Sequence, residues 1–115
     1  MTGYDKSFAF AIRVVNLYKY LRDQQKEFVM SNQLIRSGTA VGALYREAEH
    51  AESKADFIHK LAIAQKEANE TIYWLELLQA TSYITKSQFE NIYHDALELF
   101  KMITKSIKTA KQNIK

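Results

Sequence analysis

One segment of the sequence, from Ser53 to Thr81, carries apolar residues three or four positions apart over most of its length. These residues are Phe57, Leu61, Ala64, Ala68, Ile72, Leu75 and Leu78. A mean spacing of about 3.5 residues aligns such side chains along one side of an α-helix, as in the seam of a left-handed helical bundle. The segment therefore predicts a long helix that packs against other helices.

The composition extends this helical prediction to the whole chain. Its 115 residues include no proline and only three glycines, the residue types that most often interrupt helices. A chain of this length is typical of one domain, and it can bury a core without metal or disulfide support. The sequence has no cysteine, and we find no signal-peptide pattern or membrane-length apolar run. We therefore expect a single cytoplasmic domain, residues 1–115, with no membrane partner.

Capping residues and apolar periodicity predict three further helices. The first extends over about residues 5–25, and the second begins at Ser31 as its N-cap and ends near residue 51. Ser53 and Thr85 each open a capping-box pattern, which places the starts of the third and fourth helices. Short connections make sequential helices antiparallel neighbours. The predicted fold is all-α, an antiparallel up-down four-helix bundle with short loops.

Two features of the first half of the chain indicate close packing or a contact between subunits. The first helix has two apolar stripes instead of one, Phe8-Ile12-Val15-Tyr18 and Phe10-Val14-Leu17-Leu21, so we expect it to be buried on two sides. The second helix carries glycines at its centre, where each costs about 1 kcal/mol against alanine unless close helix approach offsets it. The candidate oligomer or close-packing residues are Phe10, Val14, Leu17, Gly38 and Gly42.

The last 15 residues concentrate positive charge. They hold five lysines and no acidic residue, although the whole chain has a formal net charge of only +3. The lysines are Lys101, Lys105, Lys108, Lys111 and Lys115. Their spacing of three and four residues predicts a basic ridge on the fourth helix, which would bind the phosphates of RNA or DNA without reading base sequence. The alternative is a solvated helix end whose lysines complement the negative end of the helix dipole.

Only weak patterns for catalysis are present. Glu47 and His50 form an E-x-x-H pattern, but a carboxylate-bridged di-iron site requires this motif twice with two further glutamates. Glu67 and Glu70 lie one turn apart, and acid–base chemistry would require one of them to be buried. We instead expect this pair to face solvent or to bind Arg36 or Arg46 across the bundle. The sequence predicts no catalytic residue, metal site or cofactor.

The stretch from Arg36 to Leu78 closely resembles a family of small four-helix bundles encoded in intervening sequences of bacterial 23S ribosomal RNA genes. The matching segments include Arg36-Ser37-Gly38-Thr39, Gly42-Ala43, Tyr45-Arg46-Glu47-Ala48, Asp56-Phe57 and Tyr73-Trp74-Leu75. The family usually has asparagine at the position of Leu44, so apolar packing replaces any polar contact of that asparagine here.

The resemblance implies an up-down bundle, and it supplies no catalytic residues. It also implies distant similarity to the accessory variability determinant of diversity-generating retroelements, a pentameric barrel that works with a reverse transcriptase and nucleic acid. Our leading hypothesis is therefore a non-enzymatic homo-oligomer, with a pentamer as the implied state, that binds RNA, DNA or a nucleoprotein. The second is a protein–protein adaptor, and the third is a metal-dependent enzyme that uses Glu47, His50, Glu67 and Glu70.

Overall fold

Four α-helices make up the fold in the computed structural model, which describes residues 2–113. They are α1 (Gly3–Asp23), α2 (Val29–Glu49), α3 (Lys54–Ala80) and α4 (Lys86–Gln112). Helices adjacent in the chain pack on each other, and α4 packs back on α1 to close the bundle, which measures 51 × 23 × 21 Å. This confirms the predicted all-α four-helix bundle.

Local capping explains where three of the helices begin. The Thr85 hydroxyl accepts a hydrogen bond from the Gln88 N–H, and the Gln88 side chain accepts one from the Thr85 N–H, which completes the predicted capping box. Ser53 caps α3 by accepting from the Asp56 N–H at 3.0 Å. Thr2 and Asp5 form a further capping box, so α1 begins at Gly3, two residues before the predicted start.

The predicted N-cap of α2 was wrong. Ser31 lies inside the helix and is fully buried. The helix begins at Val29, and the carboxylate of Glu27 accepts hydrogen bonds from the first backbone N–H groups, those of Val29, Met30 and Ser31, at 2.7–3.1 Å. Those N–H groups have no partner within the helix, so a carboxylate from the preceding loop satisfies them in place of a serine hydroxyl.

The core consists of two apolar clusters stacked along the bundle. The first contains Phe10, Val14, Leu21, Leu34, Leu75, Leu78, Ile84, Ile92, Ala96 and Leu99. The second contains Val41, Ala48, Leu61, Ala64, Ala68, Ile103 and Ile107, with Leu44 packed half-buried against it. Between the two clusters lie Ser37 and Thr71, both fully buried, whose hydroxyls share a hydrogen bond of 2.9 Å. The hydroxyl pair links α2 to α3 in the interior.

Glycines bring α2 close to α1. A Cβ atom on Gly38 would lie 2.7 and 2.8 Å from the two methyl groups of Val14, well inside van der Waals contact. A Cβ on Gly42 would lie 3.4 Å from the carbonyl oxygen of Ser7, which is ordinary contact. The close approach predicted from the small residues of α2 is therefore an approach to α1 of the same chain.

The helices differ in length, and this leaves one corner of the bundle open. Lys6, in the first turn of α1, forms an ion pair with Glu98 of α4 at 2.8 Å. Beyond Glu98, α4 continues for 14 residues to Gln112, about 21 Å of helix, whereas α1 begins only three residues before Lys6. Near the end of α4 the core is therefore enclosed by α2, α3 and α4, and among residues 2–113 none takes the position of α1 there.

Candidate nucleic-acid interface

Four of the five predicted lysines lie on one outward face of α4. Lys101, Lys105, Lys108 and Lys111 are all exposed, while Ile103, Ile107 and Ala110 on the opposite face are buried. We call these four lysines the basic ridge. Within residues 2–113 none of them takes part in an ion pair. The fifth, Lys115, lies outside the described residues.

The acidic residues of α4 occupy its other half and are already paired. Asp95 binds Arg13 of α1, and Glu90 lies 3.9 Å from Lys86 on α4 itself. The hydrogen bond from Lys6 lowers the pKa of Glu98, so this carboxylate stays ionised beside its ammonium partner. The α1 cations thus neutralise the first half of α4, and the positive charge of the basic ridge is left uncompensated along the helix.

Two cavities open on either side of the basic ridge. The larger, of about 590 Å³, lies at the corner where α4 extends past α1 and is lined by residues from the start of α3 and the end of α4. These include Lys54, Phe57, Lys105, Ser106, Thr109 and Asn113. We call it the corner cavity. The second, of about 480 Å³, is lined by Gln65, Thr104, Ile107, Lys108, Lys111 and Gln112. Each cavity therefore has ridge lysines on its wall, so a bound strand would meet positive charge beside a recess.

The E-x-x-H pattern is not assembled into a site. The Glu47 carboxylate pairs with Lys60 of α3 at 3.3 Å. His50 follows the last residue of α2 as its C-cap, with φ −111° and ψ 23°, so it no longer follows the helical repeat that would align it with Glu47. Among residues 2–113 there is no group of three or more His, Cys, Asp or Glu side chains placed to hold a metal ion.

The paired glutamates of α3 instead bind an arginine across the bundle, as expected. Arg36 of α2 donates to Glu70 at 2.7 Å and to Glu67 at 3.5 Å. Partial burial, followed by the neighbouring charge of Glu70, raises the pKa of Glu67, although Arg36 acts in the opposite direction. Arg46 lies over the ring of Tyr4, 6.0 Å from its centroid. The cluster is an interhelical ion-pair network.

The predicted contact residues of α1 and α2 lie inside the chain's own core. Phe10, Val14, Gly38 and Gly42 are buried, and Leu17 is half-buried. A contact between copies would therefore use other surfaces, and the other stripe of α1 has two exposed members: Phe8 is 53% and Ile12 50% accessible. The sequence predicts burial of α1 on two sides; within this chain one stripe is buried, and burial of Phe8 and Ile12 by a second copy stays a prediction. The sequence could not indicate which stripe the remaining helices of the same chain would cover.

A protein family and a crystal structure both match most of this chain. A family model described as 23S rRNA-intervening sequence protein matches residues 1–105. The crystal structure of a protein of unknown function from the S23 ribosomal protein family of Bacteroides thetaiotaomicron VPI-5482 is similar, with a TM-score of 0.92 and 60% sequence identity. The match covers 93% of this chain and 99% of that chain. No curated protein matches the sequence.

The family match covers only part of the basic ridge and of the corner cavity. The family match ends before Ser106, so Lys108 and Lys111 of the basic ridge and four residues of the corner cavity lie beyond it. In the described part of the chain, no helix combines the length and the apolar character that crossing a membrane requires.

Proposed function

Because this chain belongs to the 23S rRNA-intervening sequence protein family, we propose that it is a non-enzymatic, homo-oligomeric module that binds RNA or DNA, free or in a nucleoprotein. The basic ridge of α4 makes the contact. The observation that carries this proposal is the set of four exposed lysines on one helix face, none of them ion-paired within residues 2–113.

The geometry of the ridge suits a phosphate backbone. From Lys101 to Lys111 the helix rises about 15 Å, which is the axial length of about four nucleotides in one strand of a duplex. Each phosphate that a lysine neutralises releases condensed counterions, so affinity falls as salt concentration rises. Such contacts position a strand without reading its bases. We therefore expect binding that is strongly dependent on salt and weakly dependent on sequence.

The homo-oligomeric part of the proposal rests on the exposed apolar stripe of α1. Phe8 and Ile12 are each about half accessible although both are large and apolar. Contact with a second copy would remove this surface from water. Association would also place several basic ridges on one particle, and several weak electrostatic contacts made together give much higher avidity than one. Light scattering coupled to size exclusion measures the subunit number, and a monodisperse monomer at high micromolar concentration would exclude this part.

Fluorescence anisotropy with labelled single-stranded RNA and DNA tests the nucleic-acid part. The variant K101Q/K108Q removes two ridge charges, and we expect weaker binding and a shallower dependence of log affinity on log salt, by about 0.7 for each lost phosphate contact. The matched control is K19Q/K66Q, which removes two exposed charges outside α4. Equal effects of the two variants, or no binding by the unmodified protein at about 50 mM salt, would refute the proposal.

A second candidate function is a protein–protein adaptor. It is favoured by two exposed apolar residues at the start of α2, Phe28 at 46% and Val29 at 75% accessible. In that case the lysines serve solubility alone. Replacing Lys101, Lys105 and Lys108 by glutamine would then leave partner binding unchanged, whereas the nucleic-acid module would lose its ligand.

A further inference from the structure

The corner cavity differs from the basic ridge because it combines positive charge with an aromatic floor. It lies where α4 extends past the beginning of α1, so a flank of α4 is left uncovered by residues 2–113. Phe57, in the first turn of α3, is half-buried against the second apolar cluster and also lines the cavity. Because the ring is held by the core, it offers a firm apolar surface to a ligand.

The corner cavity has a largely apolar lining, to which Phe57 and Ala110 contribute, with charged and polar groups around it. Lys54 contributes from α3 and Lys105 from α4, and the hydroxyls of Ser106 and Thr109 and the amide of Asn113 also line the cavity. The acidic residues near this end of the bundle, Glu52 and Asp56 among them, are not part of the lining. The Asp56 carboxylate instead accepts a hydrogen bond from the backbone N–H of Glu52 at 3.3 Å.

We infer that the corner cavity binds one unstacked nucleotide of a single strand, with its base against the Phe57 ring and its flanking phosphates on Lys54 and Lys105. This inference rests on the proposed function and adds a single-strand preference to it. Stacking on an aromatic ring suits any base, and cations beside the ring suit the phosphates. A volume of about 590 Å³ lies within the usual range for small-ligand sites.

The lining also favours a nucleotide over other occupants. The Ser106 and Thr109 hydroxyls and the Asn113 amide can form hydrogen bonds with the polar edge of a base. A purely apolar helix face would leave that edge without a partner. Lys105 belongs to both the basic ridge and the cavity wall. A strand whose phosphates follow the ridge therefore reaches the cavity without a gap in the positive charge. A duplex, whose bases are stacked and paired, cannot place a base there.

The test compares Phe57→Leu, which removes the ring but keeps an apolar side chain, with Phe57→Tyr, which keeps the ring. The probes are a single-stranded oligonucleotide carrying one 2-aminopurine and a duplex of the same sequence. We expect Phe57→Leu to weaken single-strand binding about 5- to 150-fold, the loss of one stacked base. Phe57→Tyr should bind as tightly as the unmodified protein, and neither substitution should change duplex binding or the salt dependence.

A second variant guards against a loss of folding, since Phe57 also supports the core. Thr109 is exposed, so Thr109→Leu narrows the corner cavity without removing core atoms or adding an aromatic ring. It should weaken single-strand binding at an unchanged melting temperature. If Phe57→Leu and Thr109→Leu both bind single strands as tightly as the unmodified protein, the inference is wrong while the proposed function stands.

Two other results would also overturn the inference, and each differs from normal binding by both cavity variants. If the unmodified protein binds neither probe at about 50 mM salt, the proposed function fails and the nucleotide site fails with it. If the cavity variants lower the subunit number in light scattering, a second copy occupies the cavity. In that case nucleic acid is excluded from it even where the basic ridge still binds.

Discussion

The contact between Gly38 and Val14 makes a quantitative prediction about stability. Substitution of Gly38 by alanine would place the new Cβ atom 2.7 and 2.8 Å from two methyl carbons, whereas unstrained carbon contacts lie at about 3.5–4.0 Å. Val14 is fully buried, and the helix backbones hold both residues, so neither side can move freely. Overpacking of this kind costs about 1–3 kcal/mol.

An opposing effect sets the net magnitude. Alanine is favoured over glycine inside a helix by about 1 kcal/mol. We therefore expect Gly38→Ala to lower the free energy of unfolding by up to about 2 kcal/mol. Gly42→Ala has the same helix preference, but its Cβ would lie 3.4 Å from the nearest atom, so we expect it to raise the free energy of unfolding by up to about 1 kcal/mol.

Urea unfolding followed by far-UV circular dichroism measures both variants under the same conditions. The chemical change is the same in each, one turn apart on one helix, so contributions of the unfolded chain cancel in the comparison. Val14→Ala should be costly by itself yet should partly rescue Gly38→Ala, with a coupling energy of about 0.5–3 kcal/mol. If Gly38→Ala is as stable as Gly42→Ala, the helices do not approach as described and the reasoning is refuted.

Three further predictions concern a cap, a titration and a surface. Glu27→Ala should lower the free energy of unfolding by about 1–2 kcal/mol in urea titration, because three N–H groups at the start of α2 lose their acceptor. Since the folded-state pKa of Glu67 is raised, the protein loses stability as pH rises from the unfolded value, about 4.3, through the folded value. Glu67→Gln removes that loss, so the stability of the variant relative to the unmodified protein should increase with pH over this window; a constant difference would contradict the assignment. The double variant F8S/I12S should reduce the mass measured by light scattering while far-UV circular dichroism shows the same helix content, and an unchanged mass would exclude this stripe as the contact.

The helices could be predicted from the sequence because their signals are local. Thr85 and Gln88 lie three residues apart, and the seam of α3 repeats within a single helix, so neither requires knowledge of distant contacts. The start of α2 was predicted wrongly because its cap is Glu27, in a loop where Lys26 has a φ of 54°. A serine in an otherwise apolar stretch resembles an N-cap in sequence, and only tertiary burial shows that Ser31 belongs to the core.

One part of the candidate interface, the basic ridge, could be predicted from the sequence, and the other part, the corner cavity, could not. The basic ridge follows from helical spacing alone, because lysines three and four residues apart share one face. The corner cavity depends on the register between α1 and α4 and on the packing of Phe57 from α3 beside Lys105 from α4. No periodicity within one helix contains that information. For the same reason the sequence could not identify Val14 as the residue that requires glycine at position 38.

The buried hydroxyls of Ser37 and Thr71 favour one alignment of α2 against α3. Apolar layers above and below them are chemically alike, so a helix displaced by one turn would still bury leucine against leucine or alanine. That displacement would break the hydrogen bond between the two hydroxyls at a cost of about 0.5–1.5 kcal/mol, although each hydroxyl would keep a carbonyl acceptor in its own helix, that of Leu34 or of Glu67. One hydrogen bond between two small side chains thus distinguishes the observed register of α2 and α3 from registers that apolar packing alone would accept.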